Sequence, residues 1–142
     1  MKRLKAFAAV FALSITFILA LAACGTTGPT NLEEFVAANP EVAEDMIISL
    51  EQSGDENVDV TVDFKGNNCI LTSKYKNTFD EDQVKVLSEA LEVSADQMID
   101  ICNTCIVDME DVTEFEGITM TLKYVNGDGS KIWAKTYERE KK

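Results

Sequence analysis

Histidine is missing altogether from this chain of 142 residues. Without it, Ser-His-Asp and Cys-His nucleophile systems cannot be built in their usual form, and neither can the usual His-containing catalytic zinc site. Basic residues are scarce: 13 Lys and Arg stand against 25 Asp and Glu. Nucleic-acid binding needs clustered Lys and Arg to neutralise phosphate, so no nucleic-acid partner is expected. No low-complexity segment is present. The chain is also too short for two lobes around a cleft, which argues against a solute receptor for a transporter.

An apolar run is present, but only at the start. Lys2, Arg3 and Lys5 precede a stretch from Ala6 to about Ala20 that is broken by Ser14 and Thr16. A membrane span needs roughly 20 apolar residues, and this run falls short. A basic start, a short apolar middle and small residues before a cut site are the parts of a secretory signal. The run closes on Leu21-Ala22-Ala23-Cys24, which resembles a bacterial lipoprotein signal. In such signals the cysteine takes a diacylglyceryl group and becomes the new N-terminus. Residues 1–23 are therefore expected to be a signal peptide, with Cys24 the lipidation site and 24–31 the lipid attachment and a short flexible tether. Residues 32–142 are expected to form a single domain. The expected location is the extracytoplasmic face of the cell membrane. Two acyl chains hold a protein stably where one does not.

Residues 1–23 hold three of the 13 basic residues and none of the 25 acidic ones. Residues 24–142 therefore keep 10 basic against 25 acidic residues, a net charge of −15. This acidity reads as a solvated exterior, with cationic partners such as Ca²⁺ or a basic peptide as the alternative.

The mature chain alternates helix and hairpin signals. Thr30 to Glu33 has the form of a capping box with Thr30 as N-cap, opening a short helix with Leu32, Phe35 and Val36 on one face. Asn39-Pro40 restarts it, with Pro40 at the first helical position. Val42, Met46 and Leu50 then fall four apart, and Ser53-Gly54 stops the helix. Val58, Val60, Val62 and Phe64 alternate with Asp59, Thr61 and Asp63, the period of a half-buried strand. After the turn at Lys65–Asn68 the chain returns with Cys69, Leu71 and Tyr75 on one side. Asp80 as N-cap, Gln83 three residues on, and Phe79 with Val84 as hydrophobic staple start a long helix. Ser94-Ala95-Asp96-Gln97 offers a second N-cap and marks the place for a break. Ile118, Met120, Leu122 and Tyr124 form a third strand, Asn126–Gly129 is hairpin-turn chemistry, and Ile132–Tyr137 is a fourth strand whose facing is ambiguous. The fold class is α+β, in the order α-β-β-α-β-β. A four-stranded antiparallel sheet from two hairpins is expected, with one face packed by the long helix and the N-terminal helix.

Three segments carry a resemblance to a known family. They are Leu32-Glu33-Glu34-Phe35 with Asn39-Pro40-Glu41-Val42, then Tyr75 to Val84, then Leu122 to Gly129. The chain resembles a family of small Gram-positive lipoproteins designated domain of unknown function 4854. The resemblance implies a fold and supplies no catalytic residue. The cysteines lie outside the family's pattern.

Cys102-Asn103-Thr104-Cys105 is the one motif with a chemical reading. At a helix N-terminus such a pair exchanges disulfides. Here it lies late in the expected long helix, on its apolar stripe, where core packing is the plainer reading. Cys69 faces the same interior, which leaves a disulfide from Cys69 to Cys102 or Cys105 open in an exported protein. Asn126-x-Asp128-Gly129 faintly resembles a calcium loop but lacks the full ligand run. Asp108, Glu110, Asp111, Glu114 and Glu116 read as a solvated acidic loop. Trp133 and Tyr137 either cover the core or face outward as an interaction surface. No metal and no cofactor is expected.

The leading expectation is a non-enzymatic, lipid-anchored envelope protein that binds a protein, peptide or wall component through an exposed sheet face or edge. One alternative is an extracytoplasmic thiol/disulfide protein using Cys102 and Cys105. Another is a passive structural lipoprotein.

Overall fold

The computed structural model describes residues 28–51 and 55–141. The expected signal, Cys24, the first tether residues and the Ser53-Gly54 stop lie outside them, as do the side chains of Met46, Ile47 and Leu50. Helices α1 (Leu32–Ala38) and α2 (Pro40–Glu51) lead into strands β1 (Val58–Lys65) and β2 (Asn68–Tyr75). Helix α3 (Glu81–Ser94), a 3-10 turn (Ala95–Met98) and helix α4 (Ile99–Thr113) come next. Strands β3 (Thr119–Val125) and β4 (Lys131–Glu138) close the domain.

The architecture is α+β with four strands, ordered β1-β2-β3-β4. Both hairpins are antiparallel as expected, but the central pair β2-β3 is parallel, with Asn68 beside Thr119 and Lys74 beside Val125. The sheet is therefore mixed rather than wholly antiparallel. The reason lies in the helical connection. It carries the chain from the far end of β2 back to the end where β2 began, so β3 starts level with it. A parallel pair requires such a crossover.

One straight helix over Glu81–Thr113 would run about 50 Å at 1.5 Å per residue. An eight-residue strand spans only about 26 Å. The 3-10 turn at Ala95–Met98 resolves the mismatch, and both α3 and α4 lie against β4. The break falls where the sequence marks it, but Ser94 does not cap it. Its hydroxyl donates back to the Ala90 carbonyl at 2.9 Å. The break is held from the sheet instead: Ala95 is fully buried, and its carbonyl accepts from the Tyr137 hydroxyl at 3.0 Å.

The cap at Asp80 is the expected one, with Asp80 and Gln83 bonding reciprocally to each other's backbone N–H. The cap of α1 is shifted by one residue. Asn31, not Thr30, is the N-cap, accepting from the Glu34 N–H at 2.9 Å. Thr30 donates its N–H and hydroxyl to the Glu34 carboxylate instead. Those two bonds hold the Glu34 carboxyl below its ordinary value. Pro40 opens α2 as expected, while the Asn39 side chain closes α1 by donating to the Phe35 carbonyl.

The core lies between one sheet face and the helices. Leu32, Val36 and Val42 from α1 and α2, with Cys102, Ile106 and Met109 from α4, meet Cys69, Met120, Leu122 and Tyr137 from the sheet. Helix α3 contributes no fully buried residue; Val84, Leu87 and Leu91 pack at the margin.

Candidate functional site

The three cysteines of the domain converge on this core. Cys69 on β2 and Cys102 on α4 are each 1% exposed, and Cys105 one turn on is partly buried. All three are free thiols. Burial pushes the Cys69 thiol up to about 12, with Cys105 and Cys102 adding to the effect. Burial likewise raises Cys102 to about 12, with Cys105 contributing, and Cys105 to about 11, with Asp108 contributing. Each shift opposes thiolate formation. The break at Ala95–Met98 makes Cys102 the fourth residue of α4, not a residue late in one long helix. The helix start does not activate it, because α4 continues directly from the 3-10 turn, whose Asp96 carbonyl already takes the Ile99 N–H. Among the described residues no group of three or more His, Cys, Asp or Glu is placed to hold a metal ion.

These shifts carry a pH dependence. A thiol that stays neutral in the folded protein but ionises in the unfolded chain stabilises the fold fully below the ordinary thiol value of 9.0. The contribution is lost as pH rises from there towards the folded-state values. Tyr75, Tyr124 and Tyr137, also raised by burial, act in the same direction. The urea midpoint is expected to decline above about pH 9, and less steeply in a variant with Cys69, Cys102 and Cys105 all replaced by alanine. Identical slopes in the two proteins would remove the thiols from the account.

Trp133 and Tyr137 are 6% and 5% exposed, so they belong to the core and not to an interaction surface. A bulge explains why the facing is ambiguous in the sequence. Tyr124 pairs with Trp133 but Val125 pairs with Lys131, which leaves Ile132 as an extra residue. Ile132 and Trp133 both turn inward as a result. The Trp133 indole N–H donates to the Glu92 carboxylate at 2.7 Å and ties β4 to α3.

Two polar residues in the interior hold the loops, and the partners of neither are announced in the sequence. Asn126 is 2% exposed. Its Oδ1 accepts from the Phe79 N–H at 2.8 Å and the Gly127 N–H at 2.9 Å, while its Nδ2 donates to the Phe79 carbonyl at 2.9 Å. The side chain is thus spent on backbone. Asp128 accepts from the Ser130 N–H and hydroxyl, which holds its carboxyl below the ordinary value. The Asn126–Gly129 segment is a hairpin turn docked on another loop. Glu110, expected in a solvated acidic loop, is 7% exposed. It accepts from the Gly117 and Ile118 N–H groups at 3.0 and 3.2 Å and pairs with Arg139 at 2.5 Å.

What remains open is the sheet face turned away from the helices. Thr61 pairs with Thr72 across β1 and β2, and Thr121 with Thr136 across β3 and β4, their hydroxyls 2.8 Å apart in the latter pair. Ile70 and Lys123 lie among them. Strands β1 and β4 are the two edges. Among the described residues this surface offers hydroxyl and backbone hydrogen bonds, with Asp59, Asp63, Lys65 and Lys74 of β1 and β2 on the same face.

Among the described residues no helix is long and apolar enough to cross a membrane. The chain matches no curated protein and no solved structure. One family model matches, over residues 32–137, from the first residue of α1 almost to the end of β4. By that match, the chain belongs to the family defined by the domain of unknown function DUF4854.

Proposed function

We propose that this protein is a lipid-anchored lipoprotein of the bacterial cell envelope, held on the extracytoplasmic face by lipid on Cys24, and that its domain works by binding and not by catalysis. The observation that carries the anchoring is the ending Leu21-Ala22-Ala23-Cys24, followed by a fixed fold only six residues after Cys24, where Thr30 is bonded to Glu34. A binding role is supported by the open sheet face and edges, which suit a peptide, protein or wall component. It is supported further by the burial of Cys69, Cys102 and Cys105, because a thiol/disulfide protein needs a reachable thiolate.

Two measurements test this reading. Full-length protein recovered from bacterial membranes should carry the lipid mass on the peptide beginning at Cys24, and Cys24→Ala should leave the membrane fraction. An unmodified Cys24 in wild-type protein would sink the anchoring. Iodoacetamide at neutral pH should leave the three domain thiols intact in the folded protein and modify all of them in urea. Ready alkylation of Cys102 and Cys105 in the folded protein would put the thiol/disulfide role first.

A further inference from the structure

The start of the folded chain is fixed at one end of the sheet. The Leu32 N–H donates to the Asn67 side chain at 3.0 Å and the Glu33 N–H to the Gly66 carbonyl at 2.9 Å. The Gly66 N–H returns to the Glu33 carboxylate at 2.6 Å. Helix α1 therefore begins on the β1-β2 turn. Asn67 also joins that turn to the next loop: its side chain donates to the Glu116 carbonyl, and its carbonyl accepts from the Thr119 N–H. The strand register completes this end. Lys65, Asn68, Thr119 and Glu138 stand in one row across the four strands. At the other end Val58 stands beside Tyr75, and Lys74 beside Val125 and then Lys131, next to the β3-β4 turn and the Lys76–Asp80 segment.

Bond lengths then restrict what a lipid on Cys24 allows. Thr30 lies six residues on from Cys24, and six extended steps reach at most about 22 Å. Eight-residue strands are about 26 Å long. A domain standing with the β3-β4 turn on the bilayer would put Thr30 a full strand length away, beyond that reach. We propose that the membrane-facing end of the domain is the one formed by the β1-β2 turn, the Glu114–Ile118 loop and the residues after Glu138, with the β3-β4 turn at Asn126–Ser130 pointing outward. This inference rests on the anchoring reading above.

The kind of surface met is a lipid headgroup layer held by the tether and not by charge. At this end Glu33, Glu34, Glu114, Glu116, Glu138 and Glu140 outnumber Lys65, Arg139 and Lys141, so anionic headgroups give it no net attraction within a Debye length. The outward end is the one a partner from the wall or medium reaches first.

The test uses the full-length lipidated protein in membrane vesicles. Lys65→Cys and Lys131→Cys place exposed thiols at the two ends, while Cys69 and Cys102 are buried and Cys105 is partly buried. Each is labelled with a donor dye, and an acceptor-labelled lipid is added to the outer leaflet. Wild-type protein, which should take no dye, is the control. Energy transfer is expected to be stronger from position 65, by about twofold or more for a separation near one strand length. Intact mass is read first. Lipidated protein with equal transfer, or stronger transfer from position 131, overturns the orientation and leaves the anchoring standing. Protein without the lipid overturns the anchoring, and the orientation falls with it.

Discussion

Replacing Gly127 by alanine is expected to destabilise the domain by about 3 kcal/mol, the upper part of the usual range for forcing atoms into a packed site. A Cβ at this position would lie 2.7 Å from both the carbonyl carbon and the oxygen of Asn77 and 2.8 Å from the Thr78 Oγ1. Backbone is the obstacle, and it cannot withdraw freely, because Asn126 next door holds Phe79 by both its N–H and its C=O. Gly129 separates sterics from conformation. Its φ is +91° and nothing lies within 4 Å of its would-be Cβ, so alanine there meets backbone strain alone, about 1–3 kcal/mol. Asn126→Ala removes all three side-chain bonds and strands the Phe79 amide and carbonyl, a loss of about 2–4 kcal/mol. Asn126→Asp keeps the acceptor but sets a carboxylate oxygen against the Phe79 carbonyl, so it should be no better than alanine at neutral pH. Gly127→Ala and Asn126→Ala act on one contact, and the double variant should lose less than the sum. Urea unfolding measures all five. A midpoint for Gly127→Ala equal to wild type would mean that the two loops do not approach as closely as described.

The second large effect is expected at Glu110. Alanine there leaves the Gly117 and Ile118 N–H groups without an acceptor and frees Arg139 from its partner. Charged hydrogen bonds to a buried carboxylate are worth more than neutral ones, and the loss is expected at about 2–4 kcal/mol. Arg139→Ala should cost less, about 1–2 kcal/mol, because the Arg139 side chain is 52% exposed and both N–H bonds to Glu110 survive. Glu110→Gln should fall between them, since an amide oxygen can still accept from the two N–H groups. A Glu110→Ala protein no less stable than Arg139→Ala would show that the ion pair, not the loop clamp, is what matters at this site.

Both clamps show what is legible in a sequence. The Asp80 capping box and the alternation of Val58 to Phe64 and of Met120 to Tyr124 are local. Each is written in residues within about four positions of one another, the reach of helix and strand periodicity. Cys69 and Cys102 fall on apolar faces for the same reason, and their burial is readable. Glu110 lies four residues after the buried Ile106 on α4, so the helical period places it inward; its acidic neighbours hide that. Its partner Arg139 lies 29 residues on, and no local pattern announces it. Asn126 reads as turn chemistry, and its grip on Phe79 spans 47 residues.

The sequence by itself determined the element order, the one-sided core and the placing of the thiols within it. Those come from the spacing of apolar residues, which fixes the face a side chain shares before any distant segment arrives. Only the tertiary structure decided that β2 and β3 run parallel, that a bulge turns Ile132 and Trp133 inward together, and which end of the sheet holds the start of the chain. Each depends on where a long helical crossover returns and on which loops then meet. That is settled by packing and by hydrogen bonds between segments far apart in the chain, and such partners leave no periodic trace in the residues that make them.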